Sequence, residues 1–369
     1  MTETSESDLT ITYGRMNNRG MSHLPYRNFV HLSQSEAHEL MRRMLSGEMS
    51  TEGIAEVLSF LRRKGETIAE LVGFASAIRE MSEPIEIDQS SEPVLDTCGT
   101  GGDGTNCFNI STAAAFVVAG TGLRVAKHGN RRISSQSGSA DVLEALGVPI
   151  DLCGAQVAEC IRETGMGFLY APLLHPAVKH AQEARLMLKG RTVFNLLGPL
   201  TNPVRARVQL IGAFSVRAAE MLAQASARLG IENAFVVHGA DGLDEVSTTG
   251  MTTVFQVEDS RVQKGRWVPS DFGVPHAAID DLKGGDPETN ASIIRSVLEG
   301  EPGPHRDIVL VNSAAALFLA RRAIDLKSAV ALAAETIDSG AARRKLELLV
   351  EFTARLNRRH VNVQSQTNG

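Results

Sequence analysis

Residues 99–104, Gly-Thr-Gly-Gly-Asp-Gly, place four glycines in six positions and constrain this chain more than any other stretch. The apolar run 93–98 before them reads as a buried strand. The run 112–119 after them reads as a helix, with Ser111 or Thr112 near its cap. Glycines let a backbone approach a ligand closely, and the free N–H groups and positive end of a helix N-terminus favour an anion. The segment is therefore predicted to be a phosphate cradle and not only a tight turn.

The same letters satisfy G-x-G-x-x-G. A dinucleotide fold also needs an acidic residue at the end of the next strand, about 20 residues on, for a ribose hydroxyl. Here the next strand, predicted at 123–126, runs into Lys127-His128-Gly129-Asn130-Arg131. The nicotinamide reading is set aside.

Downstream of the loop, short apolar strands alternate with helices, an α/β signature. Strands are predicted at 167–171, 208–212 and 234–238, with an edge strand at 253–257. Helices are predicted at 140–146, 176–188, 218–229, 292–298, 313–322, 328–337 and 341–356. Upstream lie three amphipathic helices without an intervening strand. Ser33/Glu36 and Thr67/Glu70 have capping-box spacing, and apolar residues recur at i, i+3, i+4 and i+7. Residues 1–30 are predicted to be a mobile tail without function, dispensable to residue 28. The expected organisation is a helical domain at 31–92 and an α/β domain at 93–369.

The length of 369 residues permits two domains with substantial cores. A net charge of −6 gives no footprint for nonspecific nucleic-acid binding, so a basic site must be local. No apolar run approaches the ~20 residues needed to span a bilayer, and the N-terminus lacks a signal-peptide core, so no membrane association and a cytoplasmic location are expected. Cys98, Cys107, Cys153 and Cys160 have no C-x-x-C spacing and read as reduced thiols.

Two further stretches carry chemistry. Residues 127–139 combine cations, an amide and hydroxyls after a strand end, where open α/β sheets bind ligands. Lys127 suits a point charge on phosphate, and Arg131 can fork onto one. Residues 241–247, Asp-Gly-Leu-Asp-Glu-Val-Ser, place adjacent carboxylates after the strand ending at His238. A surface turn is the plain alternative. Beside two anion cradles, hard oxygen ligands for Mg2+ are favoured. The apolar stretch 194–203, with two prolines, reads as a rigid structural connection. Arg185, on its predicted helix, suits a substrate carboxylate if it faces a cleft.

Six ordered motifs, GTGGDG at Gly99, NIST at Asn109, KHGNR at Lys127, SGSADVLEALG at Ser137, RTVFNLLGPLTNP at Arg191 and DGLDEVS at Asp241, resemble those of the anthranilate phosphoribosyltransferase family, from about Ser33 to about Leu356. The resemblance implies a small N-terminal helical domain hinged to a larger α/β domain with a mostly parallel sheet. It implies a homodimer formed largely through the helical part, and two helices between about Gln156 and Leu188 packing onto it. It implies transfer of a phosphoribosyl group from 5-phosphoribosyl 1-diphosphate to anthranilate, in tryptophan biosynthesis, assisted by Mg2+ at two ions per subunit.

By the same resemblance, the diphosphate substrate meets Gly99, Gly102, Asp103, Cys107, Asn109, Ile110, Ser111, Thr112, Lys127, His128, Gly129, Asn130, Arg131, Ser134, Ser135 and Ser139. Anthranilate meets Gly99, His128, Asn130 and Arg185. Metal meets Ser111, Asp244 and Glu245. No side chain is implied to bond covalently to substrate. Arg132 stands where the family has a small residue, Gln136 where Lys is frequent, and Cys107 where a small hydroxyl residue is common. Leu186-Met187-Leu188 replaces a more polar run. A pyrimidine nucleoside phosphorylase is the nearest alternative, but it has no need of the Asp244–Glu245 pair. A non-catalytic, nucleic-acid-binding relative would require a basic groove and eroded metal ligands.

Overall fold

The computed structural model describes residues 31–132 and 136–367, with side chains to residue 357. The tail expectation for residues 1–30, and site residues Ser134 and Ser135, lie outside the described residues.

Helices α1 (Gln34–Leu45), α2 (Thr51–Lys64) and α3 (Ile68–Met81) form the N-terminal bundle. Both predicted capping boxes form, Ser33 with Glu36 and Thr67 with Glu70. Each satisfies two orphan donors at a helix start. Glu70 does more, because its fully buried carboxylate also accepts from Leu32 N at 2.8 Å and from Lys64 Nζ at 2.6 Å. One side chain thus ties the end of α2 and the entry to α1 onto the start of α3.

Next come β1 (Val94–Gly99), α4 (Ile110–Gly120), β2 (Arg124–Gly129), α5 (Ser139–Ala145), α6 (Gly154–Thr164), β3 (Met166–Tyr170), α7 (Ala171–Leu174), α8 (Lys179–Leu188) and α9 (Val193–Leu197). Then follow β4 (Val208–Gly212), α10 (Val216–Arg228), β5 (Asn233–Gly239), β6 (Thr252–Glu258), β7 (Arg261–Trp267) and α11 (Pro269–Phe272). The helices α12 (Pro287–Leu298), α13 (Pro304–Leu319), α14 (Leu326–Asp338) and α15 (Ala341–Thr367) complete the chain.

The sheet runs β3-β2-β1-β4-β5-β6-β7. The first five are parallel, and β6 and β7 are added through antiparallel pairings. One face packs against α4–α6 and α12–α15. The other shares a continuous apolar core with α10, α9, α8 and the N-terminal bundle. Of the helices within 156–188, α8 lies against α2 and α1, with Thr51 Oγ1 donating to Glu183 at 3.1 Å. The helix α6 lies instead on β3, β2 and α15.

Three sequence expectations are corrected. β2 continues to Gly129, so Lys127 and His128 belong to a strand and not to a polar loop. Their pairing with Phe168 and Leu169 of β3, in a strand flanked on its other side by β1, leaves them buried despite their polarity. β6 is not an edge, because β7 pairs outside it through a hairpin whose Asp259 and Ser260 both have positive φ (49° and 61°). That two-residue turn lacks the glycine that normally signals it. The stretch 194–203 is not a plain connection. It forms α9 and a 3-10 turn, Gly198–Leu200, that reach the site described below.

Candidate active site

Strand order reverses direction between β1 and β4, and the crevice beyond the carboxyl ends of such strands is where open sheets bind ligands. Here β1, β2, β4 and β5 all end in glycine: Gly99, Gly129, Gly212 and Gly239. Space demands it. A Cβ on Gly212 would lie 1.6 Å from Asp244 O, and one on Gly129 would lie 2.1 Å from Ser139 Oγ. The loop after β1 is pinned to β4, with Thr100 N donating to Gly212 O at 2.9 Å and Phe214 N to Thr100 Oγ1 at 3.0 Å. Gly101, Gly102 and Gly104 take positive φ, the conformations glycine accepts without strain.

Two distant segments meet across this crevice. Asp244 Oδ2 accepts from Gly101 N at 2.9 Å, and Glu245 Oε1 accepts from Ser111 N at 3.1 Å. Below them Lys127 Nζ, 2% exposed, donates to Thr97 O at 2.6 Å and Ser111 Oγ at 3.1 Å. Burial lowers its pKa, opposed by the nearby carboxylates of Asp96 and Glu245. Burial raises the carboxyls of Asp244 and Glu245, with added repulsion from Asp103 on Asp244 and from Asp244 on Glu245. Asp103 itself closes a turn, accepting from Thr105 Oγ1 at 2.5 Å.

A cavity of about 250 Å³ lies among these groups, lined also by Gly99, Gly102, Cys107, Asn109, Ile110, Thr112, His128, Gly129, Asn130, Arg131 and Ser139. Thr112 Oγ1, at the start of α4, is buried there without a hydrogen-bond partner. Burial pushes the Cys107 thiol up to about 11, so it stays a neutral thiol. Arg131 is engaged elsewhere: it reaches Glu144 and Asp141 of α5, its carbon lying 5.7 Å from the Tyr170 ring centre. An anion could recruit it only by displacing those carboxylates.

A second cavity, about 520 Å³, opens beside the first and shares His128, Asn130 and Asn195 with it. Arg185 projects into this lining from α8, its guanidinium carbon 4.9 Å above the Phe194 ring. Burial lowers its pKa, and among the described residues it has no carboxylate partner. Such a desolvated cation is poised for an anionic ligand group. His128 Nδ1 lies 3.2 Å from Gly198 O, which can only accept. The neutral ring therefore carries its proton there, and His175 Nε2 donates to His128 Nε2 across 3.3 Å.

Asn195, Asn202 and His175 have site-building roles that the sequence reading did not assign. Asn195 Nδ2 reaches Thr100 O at 3.4 Å, and Asn202 Nδ2 bonds buried Asp96 at 2.8 Å and Ala126 O at 2.9 Å. Their signal was the pair of amides within an otherwise apolar, proline-marked run.

The donor chemistry fits Mg2+. Asp244 and Glu245 are adjacent hard-oxygen carboxylates at one crevice, and a divalent cation would offset the charge that burial disfavours. Among the described residues, no group of three or more His, Cys, Asp and Glu side chains has metal-binding geometry.

These features define an α/β protein with a polar, glycine-lined crevice at its sheet's switch point. Residues 91–343 match the glycosyl transferase family a/b domain, and residues 26–82 match that family's helical bundle domain. The chain is 55% identical over 324 residues to an anthranilate phosphoribosyltransferase of Solibacter usitatus, covering 88% of this chain and 95% of that one. The crystal structure of anthranilate phosphoribosyltransferase from Thermus thermophilus aligns with TM-score 0.82 at 43% identity, over 88% of this chain and 96% of that one. The Saccharomyces cerevisiae enzyme in complex with PRPP and Mg aligns with TM-score 0.81 at 30% identity, over 88% and 94% of the two chains. The chain belongs to the anthranilate phosphoribosyltransferase family.

Proposed function

We infer that this chain transfers the phosphoribosyl group of 5-phosphoribosyl 1-diphosphate to the amine of anthranilate, releasing diphosphate and forming N-(5-phosphoribosyl)anthranilate for tryptophan biosynthesis. The observation carrying this reading is the meeting of the Asp244–Glu245 turn with the glycine loop, beside a second cavity lined by Arg185, which has no carboxylate partner among the described residues.

Anthranilate's arylamine is a weak nucleophile, so departure of diphosphate runs ahead of attack at C1. The chain's work is orientation and charge neutralisation, worth several kcal/mol when the groups are fixed in advance. Backbone N–H groups of the glycine loop and α4, with Lys127, hold the diphosphate substrate. Arg185 fixes the anthranilate carboxylate while His128 and Asn130 border the amine. Mg2+, two ions per subunit in this reading, supplies charge neutralisation on the leaving diphosphate, with Ser111, Asp244 and Glu245 as protein ligands.

The reading includes a cytoplasmic homodimer; its support is the resemblance in the helical part. Among the described residues no helix is long and apolar enough to cross a membrane.

The test is anthranilate fluorescence. Mixing the protein with anthranilate and 5-phosphoribosyl 1-diphosphate should extinguish the signal with Mg2+ and leave it with chelator. Persistence of the signal in both, or a phosphate-dependent reaction on a nucleoside without metal, would remove the assignment.

A further inference from the structure

The second half of the glycine loop is held by a segment that belongs to none of the six motifs. Gly284 N donates to Asn106 O at 2.9 Å, Phe108 N donates to Leu282 O at 3.2 Å, and Cys107 forms an antiparallel bridge with Lys283. The approach is close enough to exclude a side chain, since a Cβ on Gly284 would lie 2.7 Å from Phe108 Cα.

Asn290, in the first turns of α12 and 2% exposed, stands behind this strap. Its Oδ1 accepts from Gly285 N at 2.8 Å, and its Nδ2 donates to Asn109 Oδ1 at 2.9 Å. Asn109 Nδ2 then donates to Ser137 O at 3.2 Å. The direction of this relay is set at both ends by the backbone. An N–H at Gly285 can only donate, and a carbonyl at Ser137 can only accept, so neither amide can turn over without losing a bond.

Asn109 also stands at the N-cap of α4, where an asparagine side chain normally bonds its own helix. It makes no such bond here, and is committed instead to joining α12 with the 137–139 turn. That turn leads into α5, whose Ser139 Oγ contacts Asn130 O at 3.3 Å. The relay therefore spans both anion-binding loops of the smaller cavity.

We propose that Asn290 is a positioning residue for phosphoribosyl diphosphate, orienting the Asn109 amide so that the glycine loop and the 137–139 turn form one rigid cradle. This rests on the function inferred above. Asn290 lies outside the cavity lining, so it acts through Asn109 and not on the ligand.

Calorimetric binding of 5-phosphoribosyl 1-diphosphate with Mg2+, without anthranilate, tests it in a double-mutant cycle. Asn290→Leu should weaken binding about tenfold, the scale of one buried hydrogen bond. It should leave the anthranilate KM at saturating diphosphate substrate within about twofold. In an Asn109→Ala background, Asn290→Leu should weaken binding no further. Equal weakening in both backgrounds, or a fall in melting temperature with unchanged affinity, would overturn the relay. Should Asn290→Leu not fold, Asn290→Asp retains the acceptor for Gly285. The effect of its added charge persists in the Asn109→Ala background, whereas the positioning effect disappears. A wild-type protein that fails to bind the diphosphate substrate removes the function and the proposal together; wild-type binding matched by the variants removes the proposal alone.

Discussion

Ser111 and Glu245 are 134 residues apart, yet the backbone N–H of the first donates to the carboxylate of the second at 3.1 Å. The contact joins the N-terminus of α4 to the loop after β5, and it closes the crevice at its polar floor. The α4 N-terminus is thus occupied by the protein's own side chain, a carboxyl whose pKa burial and the neighbouring Asp244 push up to about 8. A cation bound by Glu245 would free that N–H for a phosphate.

Magnesium should therefore stabilise the fold itself. At roughly 100-fold above its Kd a ligand that binds only the folded state adds about 2.7 kcal/mol. Asp244→Asn with Glu245→Gln should abolish the metal-induced rise in melting temperature and cut turnover by orders of magnitude. Because burial and repulsion raise both carboxyls, protons compete with metal, and the Mg2+ midpoint should fall as pH rises through neutrality. A metal-induced shift that is equal in the double variant would remove these ligands.

Arg185 should govern anthranilate alone. Its guanidinium is desolvated over the Phe194 ring and has no carboxylate partner among the described residues. Arg185→Ala should raise the anthranilate KM at least about tenfold, the value of one charge-assisted bond, with the KM of the diphosphate substrate nearly unchanged. Arg185→Lys should restore little, since a lysine cannot grip a carboxylate with two parallel bonds. Equal effects on both KM values would place Arg185 elsewhere in the reaction.

The elements that the sequence made legible are those whose signal is local. The Thr67–Glu70 capping box, the glycine loop and the apolar strands depend on near neighbours and appear where their patterns predict. Lys127 and His128 misled because a polar pair looks like loop; only their pairing with β3 shows that their backbone belongs to a strand. The hairpin at Asp259 and Ser260 was hidden for the opposite reason, since residues that tolerate positive φ were present without glycine. Asn290 was invisible because the bond that matters, to Asn109, spans 181 residues, and a single buried amide has no periodicity. Arg131 lines the smaller cavity as its residue type suggests, but its bonds to Tyr170 and to the carboxylates of α5 could not be read from the sequence.

Gly212→Ala should damage both fold and metal site. The added Cβ would sit 1.6 Å from Asp244 O, a backbone atom that cannot rotate away. The 241–245 turn must then shift, breaking the Gly101–Asp244 contact. Overpacking of this kind costs on the order of 1–3 kcal/mol or more. Chemical denaturation should show that loss together with a weakened Mg2+ response, whereas a surface change such as Gly250→Ala, where a Cβ meets nothing within 4 Å, should show neither.

His175 should set part of the protein's acid sensitivity. Burial lowers its pKa from 6.5 to about 3, and the neighbouring His128 ring adds to the effect. The folded state thus holds His175 neutral, while the unfolded chain takes up a proton below about 6.5. The stabilising contribution is complete above that value and is lost as pH falls towards about 3. By linkage the loss between pH 7 and pH 5 is about 2 kcal/mol for this one group. His128 is shifted down for the same reason, so its contribution runs in the same direction. His175→Gln keeps a donor for His128 Nε2 but cannot titrate. Urea unfolding at pH 7 and pH 5 should therefore show the variant losing about 2 kcal/mol less than the parent, and parallel losses in the two proteins would mean that His175 is protonated without cost in the fold.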